Sequence, residues 1–263
     1  LQELIQRLLS KEKIRFALQA GFFHLVISIL LALLVASVVF FVWFPSPYRD
    51  LAGGRELFLL IVSVDVVCGP LLTLILASPY KPKQELAVDL GLVAIFQLSA
   101  LVYGLYSVAM ARPVALVFEV DRFRVVTAAE VNPADQLQAT PPYNALSWTG
   151  PQLLGIRSAS NGDEQLQSIE LGLQGIEPSM RPQWWEPYER SVNKALAKAK
   201  PMQALRQKHP QQSVLIDKTI HSANLSEGYC QWLPLVSRKS NEWVVILDAK
   251  SGQPKAYLPL DGF

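Results

Sequence analysis

Between Gly21 and Met110 the chain consists of three apolar runs divided by two short polar connections, a pattern that leaves few ways to fold. The runs cover residues 21–44, 57–77 and 86–110. About 20 apolar residues at 1.5 Å each cross a hydrocarbon core of roughly 30 Å. In lipid every backbone N–H and C=O must find a partner within the protein, so spans of this length are helices. Connections this short make successive helices antiparallel neighbours, so a three-helix transmembrane bundle is expected.

The punctuation agrees with the apolar pattern. Pro45-Ser46-Pro47 ends the first run, and Gly53-Gly54-Arg55-Glu56 leads into the second. Ser78-Pro79 closes the second run, Lys81 and Lys83 lie in the next connection, and Arg112-Pro113 follows the third. Phe40, Phe41, Trp43 and Phe44 stand where a cleavable signal would place small residues, so the first run reads as an uncleaved signal anchor. Asp89, in the first turn of the third span, is expected to reach water. Trp43 and Tyr48 suit an aromatic belt at the outer interface.

Before the first span, residues 1–20 form a cytoplasmic segment with Leu1, Leu4, Ile5, Leu8 and Leu9 at helical spacing among Lys and Arg. Two readings stay open: an amphipathic helix on the inner membrane face, or an extension of the first span. Arg7, Lys11, Lys13 and Arg15 precede the first span, and Lys81 and Lys83 fall on the same side of the membrane. Arg49, Arg55 and Arg112 fall on the other. That bias puts the N-terminus in the cytoplasm and the C-terminal domain outside. Counting Arg122 and Arg124 as well narrows it.

The averages conceal the break at Arg112. Over 263 residues the chain is 51% hydrophobic and 17% charged with net charge +2, but the apolar excess ends where the third span ends. Neither charge sign dominates, and no basic patch is interleaved with aromatics, which argues against nucleic acid. The two cysteines, Cys68 and Cys230, make no disulfide framework and read as small buried apolar groups.

Asp65 is the residue least suited to its surroundings, near the middle of the second span in Val64-Asp65-Val66-Val67-Cys68-Gly69-Pro70. A carboxyl at that depth costs about 2.5–3.5 kcal/mol on insertion scales. Either it is protonated or bonds within the bundle, with Ser28, Gln97, Ser99 and Tyr103 as available partners, or it meets a ligand or partner helix. Pro70 cannot donate to the Val66 carbonyl, so Gly69-Pro70 predicts a kink and a polar notch beside Asp65. His24, close to the cytoplasmic end of its span, reads as an interfacial residue.

Residues 112–263 predict a soluble α+β domain with a small antiparallel sheet. The stretch from Pro113 to Val126 reads as one strand, 132–142 as a loop, and Leu153 to Arg157 as a short strand. Helices are expected over 163–173 and 188–205, with Pro201 breaking the second; 213–220 is ambiguous. Gln231–Val236, Trp243–Leu247 and Ala256–Leu260 read as an antiparallel meander with turn residues at both connections. No G-x-S-x-G, P-loop, H-E-x-x-H or Cys/His cluster is present, so no catalytic residue, cofactor or metal is expected. His209 and His221 read as surface residues. Trp184-Trp185, between Pro182 and Pro187, reads as a packed aromatic corner or as an anchor for a partner or the outer lipid surface.

Two stretches carry a family resemblance. Gly53-Gly54-Arg55-Glu56-Leu57-Phe58, running into Val64-Asp65-Val66-Val67-Cys68-Gly69-Pro70-Leu71-Leu72-Thr73-Leu74, resembles the type IV pilin accessory proteins of the TfpX/TfpZ type. So does Arg112-Pro113-Val114 continuing through Val117-Phe118-Glu119-Val120-Asp121-Arg122-Phe123. The resemblance covers roughly residues 17–127. It implies a non-enzymatic inner-membrane protein of Gram-negative bacteria, with a periplasmic C-terminal domain, that aids the stability or assembly of a major pilin. Its implied partners are that pilin, through transmembrane helix and head, other pilus assembly components and the bilayer. The motif positions are Asp65, Gly69, Pro70, Glu119, Asp121 and Arg122. With Trp184 and Trp185 they form the candidate partner-binding set.

Two other classes compete. A membrane-anchored envelope sensor or scaffold whose outer domain binds a ligand would need a cytoplasmic output, and little chain is cytoplasmic. An intramembrane enzyme or proton-coupled carrier would need a second catalytic group beside Asp65, and none is evident.

Overall fold

The computed structural model describes residues 10–263 and divides into two compact units. One comprises the chain up to Phe41 together with Gly54–Ala109; the other comprises Val42–Gly53 together with Met110–Phe263. The apolar-periodic Leu and Ile positions within 1–9 lie outside the described residues.

The first unit is helical. Helix α1, Lys11–Val38, starts where the Ser10 hydroxyl accepts a hydrogen bond from the Lys13 N–H, and a π-helical turn, Val39–Trp43, continues it. The polar stretch from Lys11 is therefore part of the same helix as the apolar run. After the single-turn α2, Tyr48–Leu51, come α3, Gly54–Leu76, and α4, Lys83–Ala111. Lys11–Trp43, α3 and α4 are long and apolar enough to cross a membrane. Their outward faces are apolar: Phe22, Phe23, Leu34, Leu60 and Phe96 are each about two-thirds exposed or more. Water would penalise such a surface and lipid does not, so the chain is membrane-anchored. Asp89 is paired with Lys81 from the preceding connection. At helix contacts small residues admit close approach: a Cβ on Gly104 would stand 2.7 Å from Ile61.

The second unit is α+β, as expected, but its sheet is larger than anticipated and mixed. Its strands are β1 Pro113–Glu119, β2 Arg122–Thr127, β3 Gln152–Ile156, β4 Trp185–Pro187, β5 Lys200–Pro201, β6 Cys230–Val236, β7 Trp243–Asp248 and β8 Pro254–Leu258. The order is β4-β3-β1-β2-β6-β7-β8, with β5 also paired to β6. The β1–β3 and β2–β6 pairs are parallel and the others antiparallel. The stretch expected as one strand from Pro113 to Val126 is a hairpin, with Glu119 opposite Arg122 and Val120-Asp121 as its turn. The turn was hidden because Val120 is β-branched, a poor residue for a left-handed position, yet its φ is +56°. The β6–β7–β8 meander lies as the alternation indicated.

The helices of this unit are short: α5 Pro133–Gln138, α6 Gly162–Leu173, α7 Val192–Lys198, α8 Met202–Lys208 and α9 Ser213–Ser222. Pro201 divides α7 from α8 by entering β5. Strand β1 is buried along its whole length, so both sheet faces are covered, which accounts for its nearly continuous apolar sequence. One face packs Leu116, Phe118, Phe123, Leu235 and Leu247; the other packs Val117, Val126, Leu154 and Trp185.

The first inter-helix connection belongs to this core. Tyr48 and Leu51, three residues apart on one helical turn, are buried against Phe123 and Leu235, with Leu51 fully inaccessible. The Ser237 hydroxyl donates to the Leu51 carbonyl at 2.8 Å, and the Tyr48 and Tyr257 hydroxyls lie 3.2 Å apart. Tyr48 is thus a core residue rather than a member of an interfacial belt. Burial, with the neighbouring Tyr257 hydroxyl adding to it, pushes its phenol far above the ordinary range.

Candidate functional site

Inside the helical unit a chain of polar groups ties the three long helices together. Gln97 of α4 is its centre: its Nε2 donates to the backbone carbonyl of Asp65 at 3.0 Å and to the Ser28 hydroxyl at 3.2 Å. A carbonyl can only accept, so this contact settles which end of the amide is nitrogen. Gln97 Oε1 therefore faces His24 Nε2, at 2.8 Å, as an acceptor, and Nε2 carries the imidazole proton. In the neutral ring Nδ1 then accepts from the Thr73 hydroxyl at 2.6 Å. His24 is accordingly an interhelical connector between α3 and α4. Its place near one end of an apolar run concealed this, because its partners lie 49 and 73 residues away.

The motif residues of α3 share this cluster. Gly69 and Pro70 are buried, and a Cβ on Gly69 would fall 2.1 Å from Gln97 Oε1. Glycine there leaves the space that the Gln97 amide occupies. Helix α3 runs without interruption through Pro70, and Asp65, whose carbonyl takes the Gln97 bond, lies one turn before Gly69.

The Asp65 side chain is outside the network. Of the partners named for it, Ser28 and Gln97 bond to each other. Ser99 donates to the Ile95 carbonyl at 2.8 Å, and Tyr103 is exposed. The Asp65 carboxyl has no hydrogen-bond or ion-pair partner among the described residues. It lines a cavity of about 170 Å³ together with His24, Ser28, Leu31, Val62 and Gln97. The walls are mostly apolar.

The remaining candidate residues lie in the α+β unit. Glu119, at the end of β1, is 5% exposed, and its Oε2 accepts from the Ser179 hydroxyl at 2.8 Å. Burial pushes its carboxyl above the usual carboxylate range, against the Ser179 bond, which lowers it. Ser179 also links Trp185, whose indole N–H donates to the Ser179 carbonyl at 2.8 Å. Arg122 lies 3.8 Å from Glu177, which holds Arg124 at 2.6 Å, and Asp121 stands on the hairpin turn. Trp184 and Trp185 are both buried, and the Trp184 ring lies between the Arg157 and Arg181 guanidiniums at 4.8 and 5.3 Å. The structure thus groups the candidates as Asp65, Gly69 and Pro70 in one unit, and Glu119, Asp121, Arg122, Trp184 and Trp185 in the other.

Among the described residues no three His, Cys, Asp or Glu side chains gather as a metal site. His209 Nε2 lies 2.7 Å from the Asp261 carbonyl; Cys230 is buried as expected, whereas Cys68 is exposed on the apolar outer face of its helix.

A family model for the fimbrial assembly protein FimB matches residues 12–53. The chain is 37% identical over 241 residues to the fimbrial assembly protein of serogroup I from Dichelobacter nodosus, covering 91% of this chain and 94% of that one. Against the serogroup E1 protein of the same organism the identity is 36% with the same coverage. A protein of serogroups C1 and C2 is 42% identical over 123 residues, 47% of this chain and 94% of the relative. No solved structure matches.

Proposed function

This chain belongs to the fimbrial assembly protein family, and from that premise we propose that it is an inner-membrane accessory protein of type IV pili, binding pilin subunits and supporting their stability or assembly. The observation that carries the reading is Asp65, which lines a cavity among three apolar helices and whose carboxyl has no partner among the described residues. An acid at that depth costs about 2.5–3.5 kcal/mol, and a donor on another membrane segment offsets that cost. A pilin awaiting assembly, on the resemblance to TfpX/TfpZ-type accessory proteins, is a single apolar helix with a polar N-terminal end. Such a helix can bring a donor into the cavity while its apolar flank packs on the exposed faces of the bundle.

The Lys and Arg bias supports a cytoplasmic N-terminus and a periplasmic α+β domain. The packing of Tyr48 and Leu51 into the domain core agrees, because it requires the first connection and the domain to share a compartment. In that compartment the domain contacts the pilin head.

The test is a crosslinking pull-down of pilin from native membranes with the full chain and with Asp65→Asn and Asp65→Leu. The carboxyl makes no bond within the bundle, so both variants insert and fold. Loss of one hydrogen bond to a charged group, about 1.5–3 kcal/mol, lowers pilin recovery by roughly tenfold or more. Unchanged pilin levels and unchanged co-purification in both variants remove the proposed dock.

A further inference from the structure

A second cavity, of about 290 Å³, opens in the α+β unit at the carboxyl ends of the parallel strands β1 and β3. In sheets with parallel strands the crevice beyond those ends is where the backbone diverges into loops and leaves room for a ligand. Phe118, Glu119 and Val120 come from β1 and its turn, and Ile156 from β3. Ser168 reaches it from α6 and Lys194 from α7, and Trp184 completes the wall.

The groups around this cavity are short of acceptors. Trp184 is 4% exposed, and its Nε1–H is buried with no acceptor among the described residues. Leaving such a donor unmade costs about 1–3 kcal/mol, so its persistence points to a missing partner. The Ser168 hydroxyl, also in a buried residue, makes no hydrogen bond among the described residues, and the Lys194 ammonium has no ion pair there. Among the lining residues the buried Glu119 is the one carboxylate, with only one oxygen engaged by Ser179, and Gln165 adds a neutral amide to the wall.

Charge decides what fits. The Arg157 charge is cancelled by Glu164, whose carboxylate it holds at 2.5 and 3.1 Å. Lys194 and Glu119 then contribute one group of each sign, so the cavity favours neither an anion nor a cation. A neutral group offering both a carbonyl and an N–H matches it, and the peptide amide is that group. The apolar part of the lining, Phe118, Ile156 and Val120, suits one aliphatic or aromatic side chain. Val120 is 74% exposed and holds φ +56° at the cavity lip. Backbone strain of about 1–3 kcal/mol is tolerated there to present a branched apolar side chain to solvent.

We propose that this cavity binds a short peptide segment of the pilin head, its backbone carbonyl accepting from Trp184 and the Ser168 hydroxyl and its amide N–H donating to Glu119, with an apolar side chain against Phe118 and Ile156. The assignment rests on the pilin reading above and names where in the outer domain the head is held.

The test uses the full chain in detergent, labelled with 5-fluorotryptophan. The Trp184 resonance is identified by its loss in Trp184→Phe. The probes are N-acetylated, C-amidated peptides tiling the soluble part of the major pilin of the same bacterium. At least one peptide shifts the Trp184 resonance saturably, and Trp184→Phe and Ser168→Ala each weaken its binding tenfold or more. Ser168→Ala removes a small hydroxyl and keeps the fold measurable should Trp184→Phe destabilise the domain. No shift with any peptide, or full binding by Ser168→Ala and Trp184→Phe alike, overturns the proposal. If peptides fail while the intact chain still recovers pilin in an Asp65-dependent way, the cavity assignment alone falls. If a peptide binds here but the intact chain recovers no pilin from membranes, the membrane dock falls and the cavity stands.

Discussion

Replacing Gly69 with alanine adds one methyl group to a buried helix face, and its cost follows from the Gln97 geometry. The new Cβ would sit 2.1 Å from Gln97 Oε1, 2.6 Å from its Cδ and 2.7 Å from its Nε2. A glutamine side chain swings aside cheaply, so the clash itself costs little. What is lost is the set of bonds the amide makes: acceptance from His24 and donation to Ser28 and the Asp65 carbonyl. Hydrogen bonds between membrane helices average about 0.6 kcal/mol, so three of them come to roughly 2 kcal/mol. Reversible unfolding of the full chain in bicelles, by detergent titration or steric trapping, measures this. Gln97→Ala should cost a similar amount, and Gly69→Ala on that background should add less than about 0.5 kcal/mol, because the group it displaces is gone. Two costs that simply add, or a Gly69→Ala protein as stable as the parent, would refute the reasoning.

Leu51→Ala, in the connection between the first two long helices, should destabilise the α+β domain by about 2–5 kcal/mol, since a fully buried leucine leaves a cavity. Protease resistance of the domain in the detergent-solubilised chain reports it, and unaltered resistance would show that this connection is not core. Acid should weaken the tie between Arg157 and α6. The Arg157 guanidinium, with the Ser160 N–H, holds the Glu164 carboxyl down at about 2. An acid lowered in the folded state contributes stability that is complete above its unfolded value of about 4.3 and disappears as pH falls through the folded one. The melting difference between the parent and Glu164→Gln should therefore be present at neutral pH and close as pH falls from about 4 toward 2. Both side chains are partly exposed, so it should stay below about 1 kcal/mol. A difference that grows on acidification would reverse the assignment.

Several features were legible because they depend on local chemistry. The apolar runs determine their own helices, since lipid leaves no other solution for the backbone. The β6–β7–β8 meander follows from alternation and turn residues. Asp65 identified itself by cost alone. Features that depend on partners distant in the chain were not legible. His24 looks interfacial until Thr73 and Gln97 are beside it, and Gly69 looks like a helix weak point until the Gln97 amide occupies its missing side chain. The β1–β2 turn was invisible because valine occupies a position that usually calls for glycine, asparagine or aspartate.

The sequence by itself determined that this is a membrane-anchored chain with three apolar helices, an α+β domain and one acid out of place, because hydrophobic period and residue cost act over short stretches. Only the tertiary structure decided that Gln97, His24, Ser28 and Thr73 bond to one another and that the Asp65 carboxyl has no partner among the described residues. It alone placed Tyr48 and Leu51 in the core of a domain that begins some sixty residues later in the chain. Hydrogen bonds and packing pair groups by position in space, and apolar period along the chain carries no record of which distant partner arrives.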